Sequence, residues 1–385
     1  ARLAKERRER VAMLRAAKYE KVLERHPEIT YRVGEAQFLD AHTVQLRGPD
    51  GIQHLRAHRF LIATGAAPAV PDIPGLSETP YWTSTEALAA EAVPDDLVVL
   101  GSSAVALELA QAWARLGSRV TLLARHGLLS RADPVLGREL AALLRAEGLD
   151  IRTDVVPSAV HWRQDQFTLE LPHGTLTASR LLVATGRNPN TATLGLKAAG
   201  VATDVRGFVE VDAGLATSSK HIYAAGDCTT LPQFVYVAAA AGTRAAMNMM
   251  GLATKLDLAV VPAVVFTDPQ VATVGLTEAA ARAQGVDAEQ RTLELDQVPR
   301  ALVNCDTRGF IKLVAERGSG RLLGAQILAP EAGEMIQAAA LALRGGMHVA
   351  DLADSLFPYL TMAEGLKLCA QTFTRDVQQL SCCAG

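Results

Sequence analysis

Cysteine is scarce in this chain, with five among 385 residues. Cys228, Cys305 and Cys369 are widely scattered, and nothing has the spacing of a zinc site or a disulfide framework. A reducing cytoplasm is the expected setting. An excess of charge is missing too. A formal net charge of −3 gives no basis for general affinity toward nucleic acid or an anionic membrane, so neither partner is expected. Long apolar runs are also absent. The stretch from Leu258 to Phe266 is interrupted by Pro262 and falls well short of the roughly 18 residues a membrane span needs. Ala1 to Glu9 is charged rather than apolar, so no secretory signal is expected there. What remains is the composition of a soluble globular enzyme, too long for one ordinary core and expected to form two or three domains.

Arg2 to His26 carries Leu3, Val11, Leu14, Val22 and Leu23 at spacings that a helix gathers into an apolar stripe, with Pro27 closing it. Tyr19 on this helix is expected at the edge of the stripe. Short alternating segments at Thr30 to Val33, His42 to Leu46 and His54 to Ala57, separated by Gly34 and the Gly48-Pro49-Asp50-Gly51 turn, predict a small antiparallel meander. The chain then repeats one short design. Phe60 to Ala66 is a strand ending in Ala63-Thr64-Gly65, and Leu181 to Arg187 is another ending in Ala184-Thr185-Gly186. Small residues after a buried strand let a ligand or another backbone approach closely.

Between the two copies, Asp96 to Leu100 predicts a buried strand that turns at Gly101-Ser102-Ser103 into a helix beginning near Ala104. Free amides and the helix dipole would favour a pyrophosphate at such a start. Ser103 and Ala106 stand where a dinucleotide fingerprint has its second and third glycines, and both are small. Gly117-Ser118-Arg119 and a second strand, Val120 to Ala124, complete a βαβ unit. That strand ends in Ala124-Arg125-His126, with Arg131 nearby, rather than in the acidic residue of an NAD site. A guanidinium suits the 2′-phosphate of NADP, whereas Arg125 is otherwise a solvated loop residue.

Tyr223-Ala224-Ala225-Gly226-Asp227 places a carboxylate at the mouth of a sheet, where open α/β folds bind ligands. Asp227 could accept from ligand hydroxyls or cap a helix, and the two are compatible. Cys228 reads as a small buried side chain. An alanine-rich helix is expected from Val235 to Met250. From Pro262 onward, strands at 263–266, 270–275, 309–315 and 324–328 and helices near 277–284 and 333–345 predict a separate α+β domain. Near its end, Tyr359 and Glu364 stand five residues apart beside a proline turn, forming either a polar site or simply a helix start. The chain closes on Ser381-Cys382-Cys383-Ala384-Gly385. Two adjacent thiols can offer two sulfurs to one soft metal ion, although a terminus also tolerates them without purpose.

The two Ala-Thr-Gly strand ends, Gly101 to Glu108, Tyr223 to Asp227 and the final domain together resemble the flavin-dependent pyridine nucleotide-disulfide oxidoreductases. Within that family the chain is most similar to the mercuric reductases. Ala17-Lys18-Tyr19-Glu20, Tyr81 to Leu88, Phe357 to Met362 and Cys382-Cys383 carry this likeness from end to end. The resemblance implies an α/β fold with two nucleotide-binding, Rossmann-like domains, the first incomplete, and a C-terminal α+β dimerisation domain. The FAD-binding domain would take residues 1–93 and 188–257, the NADPH-binding domain 94–187, and the dimerisation domain with its tail 258–385.

The implied activity is reduction of Hg(II) or its thiol complexes by NADPH through FAD, in a homodimer. Cys382 and Cys383 would collect the metal, and Tyr19 and Tyr359 would line its final site. Tyr359 stands where disulfide-reducing relatives carry a histidine, and Glu364 keeps the neighbouring carboxylate. Thr64, Gly65, Gly101, Ser103, Ala106, Glu108, Arg125, Gly186 and Asp227 would bind the two cofactors, with Asp227 holding the ribityl chain of the flavin. The family's opening Gly-x-Gly-x-x-Gly turn and its Cys-x-x-x-x-Cys pair do not occur, so a truncated form is expected. The alternatives are another flavoprotein disulfide reductase, of dihydrolipoamide dehydrogenase type, and a non-catalytic dimer binding NADPH and metal.

Overall fold

The computed structural model describes residues 2–377. They form two compact units, the first from residues 2–69, 88–92 and 186–257, the second from 70–87, 93–185 and 258–377.

The first unit opens with helix Arg2–Arg15, one wider π turn at Ala16–Glu20, and helix Lys21–Arg25. The predicted apolar positions do fall on helix, but they stay exposed: Leu3, Val11, Leu14, Val22 and Leu23 remain on the surface, and only Ala4 is buried. The meander follows as Glu35–Phe38, Thr43–Gly48 and Gly51–Arg56, all antiparallel. Its first strand begins later than the alternation at Thr30 to Val33 predicts. The register explains the shift: Glu35 pairs with Arg47, and Gly48 already pairs with Gly51 across the turn. Residues before Gly34 would therefore face Pro49 and Asp50, which turn away and offer no ladder.

Strand Phe60–Ile62 lies parallel to Ile222–Ala224, and Ala66–Pro68 pairs antiparallel with Arg187–Pro189. Phe38, Ile62, Val209, Ile222 and Cys228 are buried together beneath them. Helix Val235–Met249 turns Val237, Ala241 and Ala245 inward, a spacing of four that keeps one small-residue face against Leu215 and Ala225.

The second unit contains a parallel sheet in the order Arg180–Val183, Asp96–Leu100, Arg119–Ala124, Asp150–Thr153. Helices Ala104–Arg115 and Pro134–Ala146 make its crossovers. Leu97 to Leu100 are all buried, as expected for a parallel strand covered on both faces. An antiparallel ribbon, Ala159–Arg163, Gln166–Leu171 and Gly174–Ala178, adds Val160, Phe167 and Leu169 to the same core.

The rest of this unit is a five-stranded antiparallel sheet, ordered Ala263–Val265, Gln270–Gly275, Leu322–Ala329, Phe310–Glu316, Ala288–Glu294. Leu322–Ala329 is central and buried along its whole length, under helix Ala332–Arg344. Expected strands at 309–315 and 324–328 and helices at 277–284 and 333–345 are found with ends displaced by a few residues.

Candidate functional site

The nucleotide turn is built by close contact. Gly101 has φ +128°, and a Cβ there would stand 2.2 Å from the Ala184 carbonyl oxygen. Only glycine fits this approach. The Ala184 amide donates to Leu100 at 2.8 Å, so the second Ala-Thr-Gly segment is bonded to the end of the first strand. Ser103 precedes helix Ala104–Arg115 in extended conformation without capping it. Its hydroxyl donates to Ala184 at 3.4 Å. The first helical amides consequently keep no side-chain acceptor, which suits an incoming phosphate. Ala106 is fully buried, so its small size is required by packing. Glu108 accepts from the Phe266 amide at 2.8 Å.

The loop after strand Arg119–Ala124 exposes Arg125, His126 and Arg131. It is fastened to the nucleotide turn, because Leu129 donates to the Ser102 carbonyl at 3.0 Å and the Ser102 hydroxyl donates to Gly127 at 3.4 Å. Two guanidinium-bearing positions are thus held beside the turn that would receive the pyrophosphate.

In the first unit, the parallel strands Phe60–Ile62 and Ile222–Ala224 end side by side, which brings Thr64-Gly65 near Gly226-Asp227. Asn190 ties down the first of these ends: its amide donates to Gly65 at 2.9 Å and its Nδ2 to Thr64 at 2.9 Å. Gly186 accepts from Ala69 at 2.9 Å. Arg187 donates to the Ala66 carbonyl, and its Nε lies 3.7 Å from the Asp227 carboxylate. That Nε is buried and has no hydrogen-bond partner. An orphaned donor beside a partly exposed carboxylate fits a hydroxyl-bearing ligand, which can accept from one and donate to the other. Asp227 does not cap a helix, since Val235–Met249 starts eight residues later after Phe234. Glycine at 226, with φ +80°, turns the chain before a helix could form.

In the second unit Glu364 is buried, at 3 % exposure, and opens helix Glu364–Gln371. Its carboxylate accepts from the Leu360 amide at 3.3 Å, and its own amide donates to the Thr361 hydroxyl at 3.3 Å. These bonds brace a turn in which Leu360 adopts φ +64°, and they leave Tyr359 on the surface at 60 % exposure. Glu364 thus stands at a helix start, the second of its two readings. Tyr19 sits in the π turn of the first unit and is 69 % exposed, rather than packed at a stripe's edge. Cys382 and Cys383 lie outside the described residues. Among the described residues, no group of three or more His, Cys, Asp or Glu side chains is placed to hold a metal ion. No helix among them is long and apolar enough to cross a membrane.

A family model described as pyridine nucleotide-disulphide oxidoreductase matches residues 2–242, and its dimerisation domain matches residues 261–370. Mercuric reductase from Acidithiobacillus ferrooxidans is 60% identical over 377 residues, spanning 98% of this chain and 69% of that protein. The Shigella flexneri mercuric reductase is 59% identical over 98% of this chain and 68% of its own length. The chain belongs to the mercuric reductases of the pyridine nucleotide-disulphide oxidoreductase family. Among solved structures it is similar to the HOCl-induced flavoprotein disulfide reductase RclA from Escherichia coli, with TM-score 0.88 and 32% identity over 96% of this chain and 85% of that one. LpdA from Mycobacterium tuberculosis gives TM-score 0.82 and 26% identity over 95% of this chain and 82% of that one.

Some features of this mercuric reductase family member leave only part of their signal in its sequence. Arg187 was visible as the residue after Gly186, but nothing in the pattern paired it with Asp227, forty positions away. Glu108, Gln111 and Arg115 are spaced by three and four, so they share a helix face. All three bind one loop: beside the Glu108 bond to Phe266, Gln111 accepts from the Asp268 amide at 2.8 Å, and Arg115 meets the Asp268 carboxylate at 2.7 Å. Their periodicity was legible; their partner was not. Lys312 and Asp133 form a buried ion pair of 2.7 Å, with side-chain exposures of 4% and 9%.

Proposed function

We propose that the protein reduces Hg(II) to elemental mercury with NADPH as electron donor and FAD as carrier, acting as a cytoplasmic homodimer. The observation that carries this reading is 60% identity to a mercuric reductase over 98% of the chain. Overall, NADPH and Hg(II) become NADP⁺, a proton and Hg(0), so two electrons leave the nicotinamide as a hydride and both arrive at the metal. Bound flavin would supply the two-electron relay between them.

Each part has residues suited to it. The turn at Gly101 and Ser103 receives the pyrophosphate of NADPH on free helical amides, and Ala106 lets the helix sit close to the sheet. Arg125, with Arg131 nearby, pairs with the 2′-phosphate. Glu108, which holds the Phe266 amide, contributes on the same helix. Thr64, Gly65, Gly186 and Asp227 belong to the flavin side, where Asp227 and the Arg187 Nε engage ribityl hydroxyls. Cys382 and Cys383 capture the soft ion as thiolates. Tyr359, presented by the Glu364-braced turn, lines the reduction site together with Tyr19. A tyrosine suits this place because release of a metal atom needs no proton delivered to a leaving thiol. The family's inner Cys-x-x-x-x-Cys pair does not occur among these 385 residues, so no residue here is assigned the last electron transfer.

The test is direct. The purified protein is examined for flavin absorbance and for Hg(II)-dependent NADPH oxidation, alone and after addition of FAD. Mercury vapour formed at the rate of NADPH consumption supports the reading; NADPH binding with no mercury reduction under any of these conditions refutes it for this chain. Cys382→Ser with Cys383→Ser is expected to slow turnover most when mercury is offered as a thiol complex, and equal rates there would remove the capture role.

A further inference from the structure

The buried pair Lys312–Asp133 is the feature that the reaction leaves unused. Lys312 lies on the central region of the antiparallel sheet, where a lysine is rarely buried unless it is paired. Its partner ends the loop that carries Arg125 and Arg131. Asp133 divides its two oxygens: Oδ2 accepts from Lys312 Nζ at 2.7 Å, while Oδ1 accepts from the Val135 amide at 2.9 Å and caps helix Pro134–Ala146. The loop has two further fixings. Leu129 donates to Ser102 on the nucleotide turn at 3.0 Å. Gly137, on the capped helix, lies so close to Leu128 that a Cβ there would fall 2.1 Å from the Leu128 oxygen.

We infer that Lys312 is a positioning residue for nucleotide selectivity, acting through Asp133 to hold the 125–133 loop so that its arginines meet the 2′-phosphate of NADPH. The inference rests on the proposed NADPH site. Lys312 itself is buried and does not reach solvent, so it acts on the nucleotide only through Asp133. Its contribution belongs to the phosphate that distinguishes NADPH from NADH, because the pyrophosphate is received by a turn whose contact to Ala184 is independent of this pair.

Calorimetric titration of the protein with NADPH and with NADH gives the ratio of their dissociation constants without requiring turnover. Lys312→Met is expected to weaken NADPH binding about tenfold, the change produced by 1.4 kcal/mol, and to leave NADH nearly unchanged. Removing one partner of a buried pair can unfold a protein. The decisive variant is therefore Asp133→Asn combined with Lys312→Met, which removes both charges and retains a good helix cap. Its NADPH preference should collapse as in the single variant, while Lys312→Arg should keep most of it. A parent-like preference in the double variant overturns the inference. Arg125→Ala with Arg131→Ala separates the two levels: loss of preference there with none in the double variant rejects only the tether, and no loss there rejects the phosphate site and the tether together.

Discussion

Gly101→Ala tests whether close approach, rather than backbone freedom alone, makes the nucleotide turn. The added methyl would sit 2.2 Å from the Ala184 oxygen, a backbone atom held in place by its neighbouring amide. Two costs combine. A side chain at φ +128° carries about 1–3 kcal/mol of strain, and forcing a methyl into a packed site adds about 1–3 kcal/mol more. Gly117 supplies the control, since it has φ +109° and nothing within 4 Å of its would-be Cβ. Gly117→Ala should pay the first cost and not the second. Trp82, Trp113 and Trp162 are the only tryptophans and all belong to the second unit, so urea unfolding followed by tryptophan fluorescence reports on the unit that holds both glycines. Gly101→Ala is expected to lose about 2 kcal/mol more than Gly117→Ala, and to bind NADPH far more weakly. Equal losses in the two variants would show that the Ala184 contact does not constrain the turn.

Three further outcomes are expected. Burial pushes the Glu147 carboxyl up, but the hydrogen bonds from Arg115 and Gln111 and the charges of Arg115 and Arg308 together hold it below its usual 4.5; Asp306 is held below 3.8 mainly by Arg308. Both folded values are depressed, so their stabilisation is complete above the ordinary values and is lost as pH falls through the folded ones. An acid melt should show this loss below about pH 4.5, and Arg308→Met should flatten it. In a Cys382→Ser, Cys383→Ser background, a thiol reagent should label exposed Cys305 in the native protein, whereas Cys369, whose thiol burial pushes up to about 12, should react only after unfolding; mass mapping of the labelled peptides decides this. Glu364→Gln should weaken the bond to Leu360 and slow mercury reduction while leaving NADPH affinity unchanged, and an unaltered rate would detach the Tyr359 turn from the reaction.

The parallel sheet and its nucleotide turn were legible because their signals are local. Four apolar residues, a glycine and a helix with small residues one turn apart specify strand, turn and approach within a dozen positions. Four of the five strands of the final domain were found for the same reason, while the edge strand Ala288–Glu294 was not. The first strand of the meander was misplaced because alternation at Thr30 to Val33 says nothing about partners, and the Gly48–Gly51 turn leaves those residues no strand to pair with. The helix at Arg2 to Arg25 was recognised from its period, but a period does not reveal what covers the stripe. Candidate site residues could be named where a motif was contiguous, as at Gly226-Asp227. Their supports, Arg187, Asn190 and Lys312, act across 40 to 179 positions and leave no pattern in the sequence.

The face of helix Ala104–Arg115 that grips the 266–268 loop makes two distant amides into reporters. The Phe266 and Asp268 N–H groups donate to the side chains of Glu108 and Gln111, not to a neighbouring strand. Their protection from solvent deuterium therefore lasts only while that helix stays formed and correctly turned. A nucleotide that steadies the helix from its first turn would slow exchange at 266 and 268, a hundred and sixty residues away in sequence, without touching either one.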